Sequence, residues 1–199
     1  MRVFSLSAEP VTISEIEAWL TQMDFKAKVE SDPGSDPDWE QIVLAHSDGM
    51  AIAPIERNPV VSGKLGEAEV QEFLDEIQES KPASAATWLT KYLKRVKTIY
   101  AFQILHAGSE REPGWDVVRH VYWQIMQTKG GVLHADGEGF TNEDGYHILW
   151  EFSDRVEGTW NMAVLDKNEK WLSFEMDLGN IAHRKAFLAG EVPHGIRVN

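Results

Sequence analysis

Large apolar side chains recur at every second position through the last third of the chain. Ile148, Trp150 and Phe152, then Trp160, Met162 and Val164, then Leu172, Phe174 and Met176 alternate with mostly polar neighbours. Period-two spacing is the mark of strands buried on one face. It predicts an antiparallel meander of four strands over residues 131–135, 146–152, 159–165 and 171–178. The opposite face would then carry His147, Leu149, Glu151, Thr159, Asn161, Trp171, Ser173, Glu175 and Asp177.

Elsewhere the apolar spacing switches to the helical period. Ile13, Ile16, Trp19, Leu20 and Met23 form one stripe, and Thr12 followed three residues later by Glu15 has the form of a capping box. Val70, Phe73, Leu74 and Ile77 predict a helix over 67–79, Trp88, Leu89, Tyr92, Leu93 and Val96 one over 85–96. Trp115, Val118, Tyr122, Ile125 and Met126 predict a fourth, stopped by Gly130 and Gly131. A last short helix over 181–188 has Asn180 as its N-cap. Between these lie β-prone runs over 2–7, 25–30, 39–45, 50–56 and 98–105. Asp48 and Gly49 supply the hairpin turn between the third and fourth of these runs. The Pro- and Gly-bearing stretch 31–38 and the charged stretch 106–113 read as loops, and 58–66 as an internal linker.

This order predicts an α+β protein built of two related small units, each an antiparallel sheet with helices packed on one face. Residues 1–60 form a βαβββ unit, 61–97 a helical connection, and 98–199 a βαββββα unit ending in the four-stranded meander. The same elements also fit one compact domain. The common pattern is of element order, not of residue identity.

Composition narrows the function classes. The 199 residues are 43% hydrophobic and include eight Trp and eight Phe, enough for a substantial aromatic core. A formal charge of −13 argues against nucleic acid, since phosphate contacts need Lys and Arg to displace counterions. The chain has no cysteine, which excludes disulfides, thiolate metal sites and a cysteine nucleophile. No run approaches the ~20 apolar residues of a membrane-spanning helix, and the N-terminal apolar run is too short for a signal segment. The expected location is cytoplasmic.

Catalytic motifs are scarce. There is no G-x-S-x-G elbow, no phosphate-binding G-x-x-x-x-G-K-[ST] and no strand-to-helix G-x-G-x-x-G. The acidic stretch from Asp136 fails as a calcium loop, because position six is Thr141 where Gly is needed and position twelve is His147 where Glu is needed. Glu151, Glu175 and Asp177 are candidate paired carboxylates for acid-base work on a sugar, which requires a cleft of set width.

Two site hypotheses follow. In simple register His134 lies opposite His147, close enough for both imidazoles to share a divalent metal with Asp136, Asp144 or Glu151 as oxygen ligands. That set implies a metal-dependent hydrolase in which the metal activates water. The leading expectation is instead a non-catalytic binding or regulatory module without cofactor. It presents His147, Glu151, Trp171, Glu175 and Asp177 to a protein partner, a basic one on electrostatic grounds, as an inhibitor would.

Overall fold

The computed structural model describes residues 1–199. In chain order the elements are β1 (Arg2–Ser5), α1 (Ile13–Gln22), β2 (Ala27–Glu30), β3 (Gln41–His46), β4 (Ala51–Pro59), α2 (Leu65–Glu76), a 3-10 turn (Ile77–Glu79), α3 (Ala83–Leu93) and β5 (Thr98–Phe102). There follow α4 (His106–Glu110), α5 (Gly114–Lys129), β6 (Gly131–Ala135), β7 (Gly139–Thr141), β8 (His147–Trp150), β9 (Thr159–Leu165), β10 (Trp171–Asp177) and α6 (Ile181–Leu188). The class is α+β, with strands paired mostly antiparallel and the C-terminal strands following one another as a meander. No helix is long and apolar enough to cross a membrane.

The chain forms two compact units, one of residues 1–68 and 96–131, the other of 69–95 and 132–199. This division differs from the expected 1–60, 61–97 and 98–199. The reason is strand pairing: β5 lies between β1 and β4, antiparallel to both, so residues 98–102 complete the N-terminal sheet. Helix α3, expected in a connection, belongs to the C-terminal unit.

In the first unit the order is β1-β5-β4-β3-β2, and α5 packs on β1, β3 and β4. The capping box of α1 forms as its residues predict: Glu15 N–H donates to Thr12 Oγ1 at 3.0 Å and Thr12 N–H to Glu15 Oε2 at 2.7 Å. Burial works against ionisation of Glu15, yet the Thr12 hydrogen bonds and Lys129 hold its carboxyl below the usual range. Trp39 is fully packed beside Tyr100, its indole N–H donating to the Val11 carbonyl at 2.7 Å while Val11 N–H donates to Tyr100 Oη at 3.0 Å. The stretch read as a charged loop contains α4, because the Leu105 carbonyl accepts from the N–H groups of both Gly108 and Ser109. Only glycine fits at 108, where a Cβ would meet the Ala51 carbonyl oxygen at 2.0 Å.

In the second unit the order is β6-β7-β8-β9-β10, one strand more than the predicted four. The added strand, β7, lies between two Asp-Gly turns, Asp136-Gly137 and Asp144-Gly145, whose glycines take φ of 76° and 84°. Gly139 opens β7 at φ 112°, so close to β8 that a Cβ there would meet the Leu149 carbonyl oxygen at 2.1 Å. A second departure is the β8–β9 pair, which is parallel and joined at His147 and Met162. The chain returns through 151–158 before β9, and α6 holds that return in place. Arg184 donates from Nη1 to the Asp154 carbonyl at 2.7 Å, from Nη2 to the Val156 carbonyl and from Nε to the Leu178 carbonyl, and its guanidinium lies 5.7 Å from the Trp150 ring centre.

Alternation on β10 follows the sequence pattern. Phe174 and Met176 are buried with Met162, Val164, Leu178 and Phe187 in one core cluster, while Glu175 and Asp177 are exposed. Strand β8 departs from it: His147, Ile148 and Leu149 are all buried, so this strand is covered on both faces.

Candidate functional site

The turn 142–146 sets the position of the second unit's most unusual side chain. Asn142 Oδ1 accepts from Asp144 N–H at 3.2 Å and Tyr146 N–H at 2.9 Å, and the Asn142 N–H donates to the Tyr146 carbonyl at 2.8 Å. The chain re-enters the sheet at His147, paired with Thr141 just past a register shift between Phe140 and Thr141. His147 lies inside because β8 is covered on both faces. Its ring centre lies 4.7 Å from that of Phe152 and 5.8 Å from that of Trp160, and only 2% of the residue is exposed.

Both ring nitrogens of His147 are shut off from solvent and neither makes a hydrogen bond of regular geometry, although the Glu138 and Leu149 backbone carbonyls lie close enough to the ring to act on it. Burial pushes its pKa down to about 4, and the nearby His134 acts in the same direction against the Glu138 and Leu149 carbonyls. The imidazole is therefore neutral at pH 7, offering one N–H donor and one nitrogen acceptor. Beside it is a cavity of about 220 Å³ lined by Thr141, Gly145, His147, Thr159, Trp160 and Asn161.

The register corrects the expected histidine pair. His134 lies opposite Phe140, and His147 opposite Thr141, because β7 intervenes between the two strands that were expected to be neighbours. His134 is itself buried, between the rings of Phe73 at 4.8 Å and Phe140 at 4.7 Å, with Nε2 hydrogen-bonded to Glu151 Oε2 at 3.1 Å. Asp136 Oδ1 stands 3.7 Å from His134 Nδ1, too far for a hydrogen bond. The set His134, Asp136 and His147 does not converge, and no group of three or more His, Asp or Glu side chains is arranged to hold a metal ion. Glu138, which the sequence reading did not single out, is half-buried, and burial raises its carboxyl above the usual range.

The five residues expected on one contact face separate into four settings. His147 is inside. Glu151 is exposed but engaged with His134. Trp171 is half-buried, its ring edge-on to Trp88 of α3 at 5.2 Å, and Trp88 in turn stacks on Tyr92 at 5.1 Å. Lys91 of the same helix forms an ion pair of 2.6 Å with Glu169, both side chains exposed. Glu175 and Asp177 alone stand free on the outer face, opposite Asn161 and Thr159 of β9. Asp177 Oδ1 accepts from Gly179 N–H at 2.8 Å, and neither carboxylate is paired with a Lys or Arg.

The extra strand β7 had one legible signal. Two Asp-Gly pairs eight residues apart imply two turns, and two turns require a strand between them. The register shift that follows has no such signal. The fold and its side chains thus define an α+β protein whose polar exposed strip and buried histidine cavity lie in one unit. No protein-family model, no curated protein and no solved structure matches the chain.

Proposed function

We propose that this chain is a non-catalytic binding module that presents the outer face of β9 and β10 to a basic protein segment, in a cytoplasmic setting. The observation that carries the reading is Glu175 and Asp177, side by side on that face and unpaired with any cation, across from exposed Asn161 and Thr159. The formal charge of −13 favours the same kind of partner, since complementary charge accelerates encounter and fixes orientation. The contact set is narrower than the sequence pattern suggested. It rests on Glu175 and Asp177, with Trp171 contributing its uncovered edge and Glu151 and His147 serving the interior.

The test is charge reversal. A partner captured from the protein's native cells is purified and its direct binding measured against wild type and the Glu175→Lys, Asp177→Lys double variant. The expected outcome is a partner with a basic contact segment, bound at least about tenfold more weakly by the double variant and weakened by added salt. Equal binding by both forms, or salt-independent binding, removes this reading.

A further inference from the structure

Beyond protein recognition by the β9 and β10 face, and independent of it, we propose that a cavity at the end of β4 in the first unit binds a free α-amino acid with a branched aliphatic side chain.

The cavity holds about 360 Å³ and is walled by residues 38 and 40, the end of β4, the loop that follows it and the first turn of α2. That volume lies at the small end of the range for ligand pockets, which limits the size of the occupant. Gly66 lets the walls close. A Cβ there would meet the Pro59 carbonyl oxygen at 2.6 Å and the Asn58 carbonyl oxygen at 2.9 Å, so α2 starts directly against the end of β4. On the other wall Trp39 is buried, whereas Asp38 and Glu40 on either side of it are exposed and line the cavity.

Charge sets the class of ligand. Two cations, Arg57 and Lys64, and two carboxylates, Asp38 and Glu40, share the lining, and none of the four forms an ion pair. Arg57 is half-buried and held in place: its Nε–H donates to the Trp39 carbonyl at 2.7 Å, its backbone N–H to the Glu40 carbonyl at 2.8 Å, and its guanidinium lies 5.7 Å from the Trp39 ring centre. Its two Nη groups keep their donors unused, a planar fork matched to a carboxylate. A simple anion would meet Asp38 and Glu40 as well as the cations, and a simple cation would meet Arg57 and Lys64. A small molecule with one charge of each sign meets both pairs favourably.

The remaining lining selects the side chain. Val61 and Leu65, both exposed, stand on the same cavity with Pro59. Exposed apolar groups rimmed by polar ones mark ligand-binding grooves, and these gain by covering an aliphatic group. The carboxylate of the amino acid then goes to Arg57, its ammonium to Asp38 or Glu40, and its side chain to Val61 and Leu65.

Probes that remove one part of the ligand at a time make the test. L-leucine, isocaproate, isoamylamine and glycine are titrated at pH 7 into the isotope-labelled full chain, and the Arg57 Nε–H and Gly66 amide signals are followed by NMR. The last three lack, in turn, the ammonium, the carboxylate and the side chain of leucine. Saturable shifts with leucine, and at least about tenfold weaker binding of each of the others, are expected. The Asp38→Asn, Glu40→Gln double variant should weaken leucine about tenfold without weakening isocaproate, because only leucine carries the ammonium. Arg57→Gln should weaken both. Should Arg57→Gln fail to fold without its bond to Trp39, the exposed Asp38→Asn, Glu40→Gln pair decides the matter. A leucine response that does not saturate, that the other probes equal, or that survives the double variant unchanged overturns the proposal. A cavity that holds only water gives no leucine response and has the same consequence.

Discussion

Two of the three buried histidines, one in each unit, sit at the end or start of a strand and are treated in opposite ways. His46 closes β3 with 2% of its surface exposed, and its Nε2–H donates to the Gly108 carbonyl at 2.9 Å. His147 opens β8 equally buried, with neither nitrogen in a hydrogen bond of regular geometry, beside a cavity. The same contrast extends to their neighbours. In the first unit Ser5 Oγ donates to the Lys129 carbonyl at 3.0 Å, Thr98 Oγ1 to the Ser7 carbonyl at 3.0 Å, and Trp39 to Val11. In the second, His134 Nδ1 and Asn142 Nδ2 join His147 among buried polar atoms without a hydrogen bond. The contrast is one of degree, since His120 Nε2 of the first unit is also buried without a hydrogen bond, and each such atom costs stability.

The largest consequence is a pH dependence centred on His147, beside a further depression, also by burial, at His120 of the first unit. An unfolded imidazole takes up its proton as pH falls through about 6.5, whereas folded His147 resists until about 4. Between those values the unfolded chain binds more protons, so the contribution is full above pH 6.5 and is lost as pH falls toward 4. The loss amounts to about 3 kcal/mol. Urea unfolding of wild type and His147→Phe from pH 7 to pH 4 should show the wild type losing that much more than the variant. Parallel curves would mean that His147 charges as readily in the folded state as in the unfolded one.

The same substitution at the two sites should then differ in sign at pH 7. His46→Phe strands the Gly108 carbonyl in the interior and should lower stability by about 2 kcal/mol. His147→Phe keeps an aromatic ring against Phe152 and Trp160 while removing two buried nitrogens without regular hydrogen bonds, and should raise stability by about 1 kcal/mol. Denaturation midpoints of the two variants that move the same way would erase the contrast.

The smallest effect tests a point at which the units are alike. Thr12 caps α1 through a reciprocal box, and Asn180 caps α6 by accepting from Ala182 N–H at 2.9 Å and His183 N–H at 3.3 Å. Thr12→Ala and Asn180→Ala should each cost about 1 kcal/mol in thermal or urea unfolding. A negligible loss at Asn180 would show that Arg184, with its three carbonyl partners, holds α6 without the cap.

Much of the fold was legible because it rests on local chemistry. The capping box at Thr12, the N-cap at Asn180, the hairpin at Asp48-Gly49 and the parity of Phe174 and Met176 against Glu175 and Asp177 are set by residues within a few positions of one another. The sites were less legible. The expectation that His134 faces His147 assumed one turn between adjacent strands, and β7 with its register shift removed it. Trp171 has the parity of an exposed residue, but parity does not say what covers a face, and Trp88 covers part of it from helix α3.

By itself the sequence determined the α+β class, the helices and their caps, the aromatic core and the exposure of Glu175 and Asp177. All of these follow from side-chain period and from short-range hydrogen bonds. Only the tertiary structure decided that β5 completes the N-terminal sheet, that β8 and β9 run parallel, and that His147 lies inside beside a cavity. Those outcomes depend on which distant segments pair and in what register, and a slip of a single residue reverses the direction of every side chain on a strand.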